Sequence, residues 1–226
     1  MKLFLSGGGS GEQSLEVDKK FIDAIDVSKP VLYVPIAIDT KKHPYSACLN
    51  WLKSNFAPLG FTNFVMWTEE NLINKIEQDF EQFGGIYVGG GNTFKLLSDL
   101  KKLGTFQILK SLALKDIPIY GGSAGAIILA RTVIPALSAD PNDINVTDFS
   151  ALNLLQNNDI WCHYNSSMDV EIQTFMKRYF LKKIIAIPED AGLFISEKRI
   201  EAIGSNIITV FDDNKKRVFH SGESIS

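Results

Sequence analysis

The chain has 226 residues, 45% hydrophobic and 22% charged, with a formal net charge of -3 and a pI of about 5.7. That balance suits a globular protein with a sizeable core, and an acidic sum gives no footing to the basic surface that nucleic-acid binding requires. No Pro/Gly/Ser-rich linker or internal repeat divides the sequence, so residues 1–226 read as one α/β domain.

The first apolar run, Leu3-Phe4-Leu5, reads as a strand. It stops at Ser6-Gly7-Gly8-Gly9, too early for the apolar region of a signal peptide. Leu15 to Ile25 reads as a helix, with Val17, Phe21, Ile22 and Ile25 at helical spacing. Val31 to Ile36 is a continuous apolar run, as in a parallel strand covered on both faces. A helix over Tyr45–Phe56 and a strand over Thr62–Met66 follow. Glu69 to Phe80 reads as a helix with Leu72, Ile73, Ile76 and Phe80 on one face. Ile86-Tyr87-Val88 is a strand that ends at Gly89-Gly90-Gly91, after which Asn92 or Thr93 caps a helix. Phe106–Leu114 is helical, Ile117–Tyr120 is a strand, and Gly121-Gly122-Ser123-Ala124-Gly125 leads into a helix over Ala124–Ala130. The alternation predicts an open, doubly wound, mostly parallel sheet.

Beyond Arg131 the pattern changes. Residues 138–158 are rich in Asp, Asn, Pro and Ser and read as a long surface loop. Ile160-Trp161-Cys162 is a short strand and Val170–Phe180 an amphipathic helix. Short strands then follow from Ile184 to His220, with Asp212-Asp213-Asn214 as a hairpin signal. This β-rich C-terminal extension either widens the sheet or builds a second one.

Gly121-Gly122-Ser123-Ala124-Gly125 matches G-x-S-x-G in its required setting, between a strand and a helix. Such a turn exposes the serine hydroxyl, and the helix start behind it offers free N–H groups to an oxyanion. A non-catalytic turn that binds an anion would look the same. A nucleophilic serine needs a base, and the histidines are His43, His163 and His220. His163 follows a predicted strand, at the sheet end where open α/β sites form. Asp140, Asp143, Glu189 and Asp190 are all candidates to orient it. Gly90 or Gly91 sits at another strand–helix junction and could add an oxyanion donor to the N–H of Ala124. Gly7-Gly8-Gly9-Ser10-Gly11 fails the dinucleotide fingerprint, since Glu12 and Ser14 stand where glycine is needed, and no P-loop sequence occurs.

Gly89-Gly90-Gly91-Asn92-Thr93-Phe94, then Gly122-Ser123-Ala124-Gly125-Ala126, a histidine and Pro188-Glu189 together resemble the peptidase E (aspartyl dipeptidase) and cyanophycinase family of serine peptidases. The resemblance implies a flavodoxin-like sheet similar to class I glutamine amidotransferases. It implies Ser123 as nucleophile, His163 as base, and Glu189 as orienter in competition with Asp140, with Gly90 or Gly91 and Ala124 as the oxyanion hole. One departure stands out: Tyr164 to Ile172 holds no arginine, and the first one after the histidine is Arg178. An arginine fork is the natural receptor for a substrate carboxylate, so N-terminal aspartate specificity lacks its receptor.

The resulting expectation is a serine-type peptidase acting on dipeptides or small peptides through an acyl-enzyme. The alternatives are an esterase or amidase and a non-catalytic anion-binding module. No metal and no cofactor are expected, because no ligand cluster has metal-like spacing. No nucleic-acid or membrane partner is expected, and the chain should be a monomer or homodimer. Cys48 and Cys162 form no CxxC pair and no apolar run approaches the roughly 18 residues of a membrane span, so a reduced cytoplasmic setting is expected.

Overall fold

The structure, a computed structural model, describes residues 1–226 except Lys198, Asp213, Asn214 and Ser226. Among the described residues the strands form an eight-stranded and a four-stranded sheet. The large sheet is built on β1 (Leu3–Ser6), β2 (Val31–Val34), β3 (Phe64–Met66), β4 (Gly85–Val88) and β5 (Ile119–Gly122), parallel in the order β1-β5-β4-β2-β3. Onto β1 the tail adds three antiparallel strands: β8 (Ala191–Ile195), β9 (Ile200–Gly204) and β12 (Ser224–Ile225). The second sheet takes β6 (Asp159–Trp161), β7 (Lys183–Ala186), β10 (Ile208–Asp212) and β11 (Lys215–Phe219), in the order β11-β10-β7-β6. The tail therefore does both things foreseen for it: it widens the main sheet and builds a second one.

Strand alternation sorts the core. Leu3, Leu5, Leu32, Val34, Ile86, Val88 and Ile119 face one side of the sheet. They meet α4 (Thr93–Lys102), α5 (Thr105–Leu114) and α6 (Ala124–Leu129). Phe4, Val31, Tyr33, Tyr87 and Tyr120 face the other side. There they pack against Val17 and Phe21 of α1 (Leu15–Ile22) and Leu52 and Phe56 of α2 (Tyr45–Phe56). Aromatic edges fill that second layer: Phe21 meets Tyr120 edge-on at 5.4 Å, and Tyr87 stacks on Tyr120 at 4.4 Å. The helices after the adjacent strands β1 and β5 thus lie on opposite faces. The chain parts there, and a crevice opens at the carboxyl ends of the two strands.

Three local readings need correction. The helix expected over Glu69–Phe80 is broken into α3 (Glu69–Leu72) and a 3₁₀ turn at Glu77–Phe80. Asn71 Oδ1 accepts from the Thr68 N–H at 2.9 Å and Asp79 Oδ2 from the Ile76 N–H at 2.9 Å, so two caps start two separate turns. Asn74, at φ 58, reverses the chain between them. Leu72 and Phe80 are buried as expected, whereas Ile73 and Ile76 lie exposed. The stretch 138–158 is not all surface: Leu152, Leu154 and Leu155 are buried. The backbone N–H groups of Leu152, Asn153 and Leu154 donate to the carbonyls of Ile128, Ala130 and Leu129, which α6 leaves open at its end. Finally, β5 runs on through Gly121 and Gly122. The hairpin signal Asp212-Asp213-Asn214 lies partly outside the described residues, although β10 and β11 on either side of it do pair antiparallel.

The helix α7 (Asp169–Tyr179) covers the small sheet, with Ile172 buried beside Trp161 and Phe211. Among the described residues no helix is long and apolar enough to cross a membrane.

Candidate active site

Ser123 stands at the end of β5, in the crevice. Its backbone lies at φ 48 and ψ -108, a conformation costing on the order of 1–3 kcal/mol that its surroundings must hold in place. Two restraints are visible. The Ser123 N–H donates to the Ser6 carbonyl at 3.2 Å. Gly125 packs so close to β4 that a Cβ there would fall 2.2 Å from the Val88 carbonyl oxygen, so only glycine fits the turn.

His163 follows β6 and is itself left-handed, at φ 54, with its N–H on the Gly7 carbonyl at 2.9 Å. That conformation swings the ring over the end of β1. Its Nε2 lies 2.8 Å from Ser123 Oγ and its Nδ1 3.0 Å from Glu189 Oε1. With the Nδ1–H donating to the carboxylate, Nε2 is left to accept the serine hydroxyl. Glu189 comes from the loop after β7. That loop is set by continued pairing with the β6 end, through the Ile187 N–H on Trp161 at 2.8 Å and the Tyr164 N–H on Ile187 at 3.1 Å. The other Glu189 oxygen accepts from Gln13 Nε2 at 3.2 Å. The hydrogen bond from His163, then the one from Gln13, hold the Glu189 carboxyl below the usual carboxylate range.

Asp140 is placed differently. Its Oδ2 accepts the Thr93 N–H at 2.8 Å, which caps α4, and its own N–H donates to the Ala136 carbonyl at 2.8 Å. It lines the cleft without joining the Ser123–His163–Glu189 chain. Asp190 receives the Ser205 hydroxyl at 3.4 Å, and Asp143 lines a separate hollow with Asp99 and Lys102. His43 is exposed near α2, and the His220 N–H donates to Glu223. Gly90, Gly91 and Ala124 all adjoin the serine. A Cβ on Gly90 would lie 3.3 Å from that of Ser123, and Ala124 opens α6.

The cleft holds about 400 Å³ and is walled by Ser123, His163, Asp140, Thr93, Trp161 and Cys162, among others. Thr93 is fully buried, and its hydroxyl finds no hydrogen-bond partner among the described residues. Burial pushes the Cys162 thiol up, so it stays protonated beside the serine. Among the described residues, no lysine or arginine lines the cleft. Arg131 forks onto buried Asp159, with Nε at 3.0 Å, and Arg178 lies over the Tyr179 ring. Among the described residues, no group of three or more His, Cys, Asp and Glu side chains is arranged to hold a metal ion.

Gly8, Gln13 and Thr93 were not expected in the site: Gly8 figured in the rejected dinucleotide fingerprint, and Thr93 only as a candidate helix cap and in the segment resembling the family. Gly8 is the bed of the histidine: at φ +113, a Cβ there would fall 2.1 Å from His163 Cε1. Its neighbours pass just as close to the loop that carries Glu189, since a Cβ on Gly7 would meet the Pro188 carbonyl and one on Gly9 the Glu189 carbonyl. The signal was a glycine triplet at the carboxyl end of β1, which made no nucleotide fingerprint but did mark a close approach of backbone.

The profile of peptidase family S51 matches residues 3–203. An uncharacterized peptidase of Listeria monocytogenes, Lmo0363, is 36% identical over 120 residues, covering 51% of this chain and 58% of that one. The match thus spans little more than half the length of that relative. Peptidase E of Haemophilus influenzae is 26% identical over 168 residues, covering 67% of this chain and 70% of its own. The crystal structure of a peptidase from an acI-B1 Actinobacterium shares the fold, at a TM-score of 0.71 and 18% identity over 100% of this chain and 96% of that one. With its match running over nearly all of the large sheet, the chain belongs to peptidase family S51, in the serine-peptidase class of hydrolases.

Proposed function

We propose that this chain hydrolyses small peptides through an acyl-enzyme on Ser123. The observation that carries the reading is the unbroken chain from Ser123 Oγ to His163 Nε2 at 2.8 Å and from His163 Nδ1 to Glu189 at 3.0 Å. His163 takes the hydroxyl proton as Oγ bonds to the scissile carbonyl carbon, then gives it to the leaving amine as the C–N bond breaks. Water, deprotonated by the same imidazole, releases the acyl group and regenerates the serine. Glu189 fixes the tautomer and balances the imidazolium. The N–H groups of Ala124 and of Gly90 or Gly91 receive the oxyanion.

The order Ser123, His163, Glu189 differs from the serine–acid–histidine order of α/β-hydrolase esterases. Asp140, which would fit that order, instead caps α4. Its carboxylate is an acceptor suited to the ammonium of a short peptide's amino terminus. The same carboxylate, in a cleft lined by no lysine or arginine among the described residues, disfavours an acidic side chain there.

The test is a mixed dipeptide panel, Asp-X included, followed by mass spectrometry for wild type and Ser123→Ala. Cleavage that falls by about 10⁴-fold or more in the variant is expected. Labelling of Ser123 by a fluorophosphonate should accompany it. Turnover that survives in Ser123→Ala removes the nucleophile assignment. Folded protein that neither labels nor cleaves leaves the anion-binding module as the better account.

A further inference from the structure

The catalytic cleft ends at Gly90, and a second hollow begins there. It also holds about 400 Å³ and is lined by Tyr33, Ile38, His43, Ala47, Cys48 and Trp51. Gly90 lines both, so the two hollows adjoin beside the reacting serine. Their chemistry differs. The first carries Asp140, Ser123 and His163. Among the described residues, the second is lined by aromatic and aliphatic side chains with His43 and Cys48, and by no lysine, arginine, aspartate or glutamate.

The sequence builds this hollow deliberately enough to be legible. Tyr33 belongs to the aromatic layer under the sheet and is almost fully buried, supplying a rigid floor. Ala47 and Trp51 are one turn apart on α2 and so share a face. Trp51 leaves 42% of its surface exposed, an apolar area that the core does not use. The small side chain of Ala47 keeps the mouth open between Trp51 and the segment at Ile38. Beyond Ile38 the neighbouring hollow carries Lys41, Lys95 and Lys102, of which Lys95 is already held by Glu69 at 2.8 Å and Asp99 at 2.9 Å.

Resting on the peptidase reading above, we infer that this hollow is a specificity subsite. It takes the large apolar or aromatic side chain of a residue flanking the scissile bond. Its position across Gly90 from Ser123 suits it to a side chain of a peptide bound in the cleft. Its largely aromatic and aliphatic lining selects an apolar group over an acidic one, because a carboxylate would lose most of its water there and meet only the His43 imidazole and the Tyr33 hydroxyl in place of an arginine fork. The chain is therefore a peptidase for apolar residues, and the missing arginines belong to a different pocket chemistry rather than to a lost one.

The experiment measures kcat/KM by mass spectrometry on short peptides carrying Phe, Leu, Ala or Asp at either position around the cut, for wild type, Ala47→Lys and Trp51→Ala. Phe or Leu at one position should exceed Asp by about tenfold or more in wild type, the scale on which hydrophobic pockets discriminate. Ala47→Lys fills the mouth with a cation on an exposed, helix-compatible site. It should cut the Phe-to-Asp ratio about tenfold, and Trp51→Ala should lower it by removing one wall. A ratio unchanged in both folded variants, or a wild type that prefers Asp, overturns the subsite. Fluorophosphonate labelling of Ser123 in the same samples separates the two levels: labelled protein with no apolar preference removes the subsite alone, whereas unlabelled protein that cleaves nothing removes the reading beneath it.

Discussion

Two carboxylates at different levels of the same strands are held in opposite ways. Asp18, on α1, is buried under the sheet, where it accepts the Tyr120 hydroxyl at 2.7 Å and the Ser14 hydroxyl at 2.8 Å. Burial pushes it up to about 6, against an ordinary value of 3.8, although both hydroxyls pull the other way. Glu189, at the carboxyl rim, is half-exposed, and its bonds from His163 and Gln13 hold it below the usual range. Tyr120 and Ser123 are three residues apart on one strand and its turn, so both environments are set by the same β5. The comparison separates two uses of an acid. At the wet rim an ionised carboxylate survives and can keep an imidazole oriented. Under the aromatic layer burial makes the carboxyl hold its proton up to about pH 6, and it serves to tie α1 to β5.

The largest effect breaks the rim. Glu189→Gln keeps the shape but can no longer enforce the Nδ1–H tautomer or balance an imidazolium. Under the hydrolase reading kcat should fall by about 10³–10⁴-fold, as measured by steady-state cleavage of the best dipeptide. A change below tenfold would show that Glu189 is not the orienter. Gly8→Ala comes next. The new Cβ falls on the His163 ring and the residue loses its φ of +113. A displaced imidazole should cost about 10²-fold in kcat with folding retained by circular dichroism. Wild-type activity in this variant would mean that His163 can move without consequence.

The buried level is tested through pH. A carboxyl whose folded pKa lies above its unfolded one stabilises the fold fully below about 3.8, and that contribution is lost as pH rises through about 6. Asp18→Asn removes the titration. Unfolding free energies from urea melts should therefore shift in the variant's favour, relative to wild type, by about 2 kcal/mol between pH 4 and pH 7. Parallel curves for the two proteins across that range would place the Asp18 titration elsewhere.

How far these two levels could be read beforehand differs too. The strands at Leu3, Val31, Ile86 and Ile119 are uninterrupted apolar runs, and their burial on both faces follows from that pattern. Hence the doubly wound sheet and its β-rich extension were legible. Ser123 could be picked out because its motif depends on a strand before it and a helix after it. The partners of the serine depend on loops. Asp140 and Glu189 both follow short apolar segments, and only the packing of the β7 loop against the β1 glycines brings one of them to His163. Gly8 was visible as a glycine, but the ring above it lies in sequence far beyond any local pattern. The Glu69–Phe80 helix failed for a related reason: period counting registers Ile73 and Ile76, not the Asn71 and Asp79 side chains that capture the backbone.

The smallest effect is the sharpest test of the rim, because it concerns the acid that does not touch the histidine. Asp140 spends one oxygen on the Thr93 N–H and faces the cleft next to a buried hydroxyl with no partner among the described residues. Asp140→Asn retains an oxygen for the cap but loses the charge. If the carboxylate meets a peptide's terminal ammonium, KM for free dipeptides should rise by about tenfold, the scale of one charge-assisted hydrogen bond. Their kcat should stay within a few-fold, and an N-acetylated peptide should show no change in KM. A fall in kcat of the size expected for Glu189→Gln would instead put Asp140 in the reacting chain, and the two carboxylates of the rim would have to exchange roles.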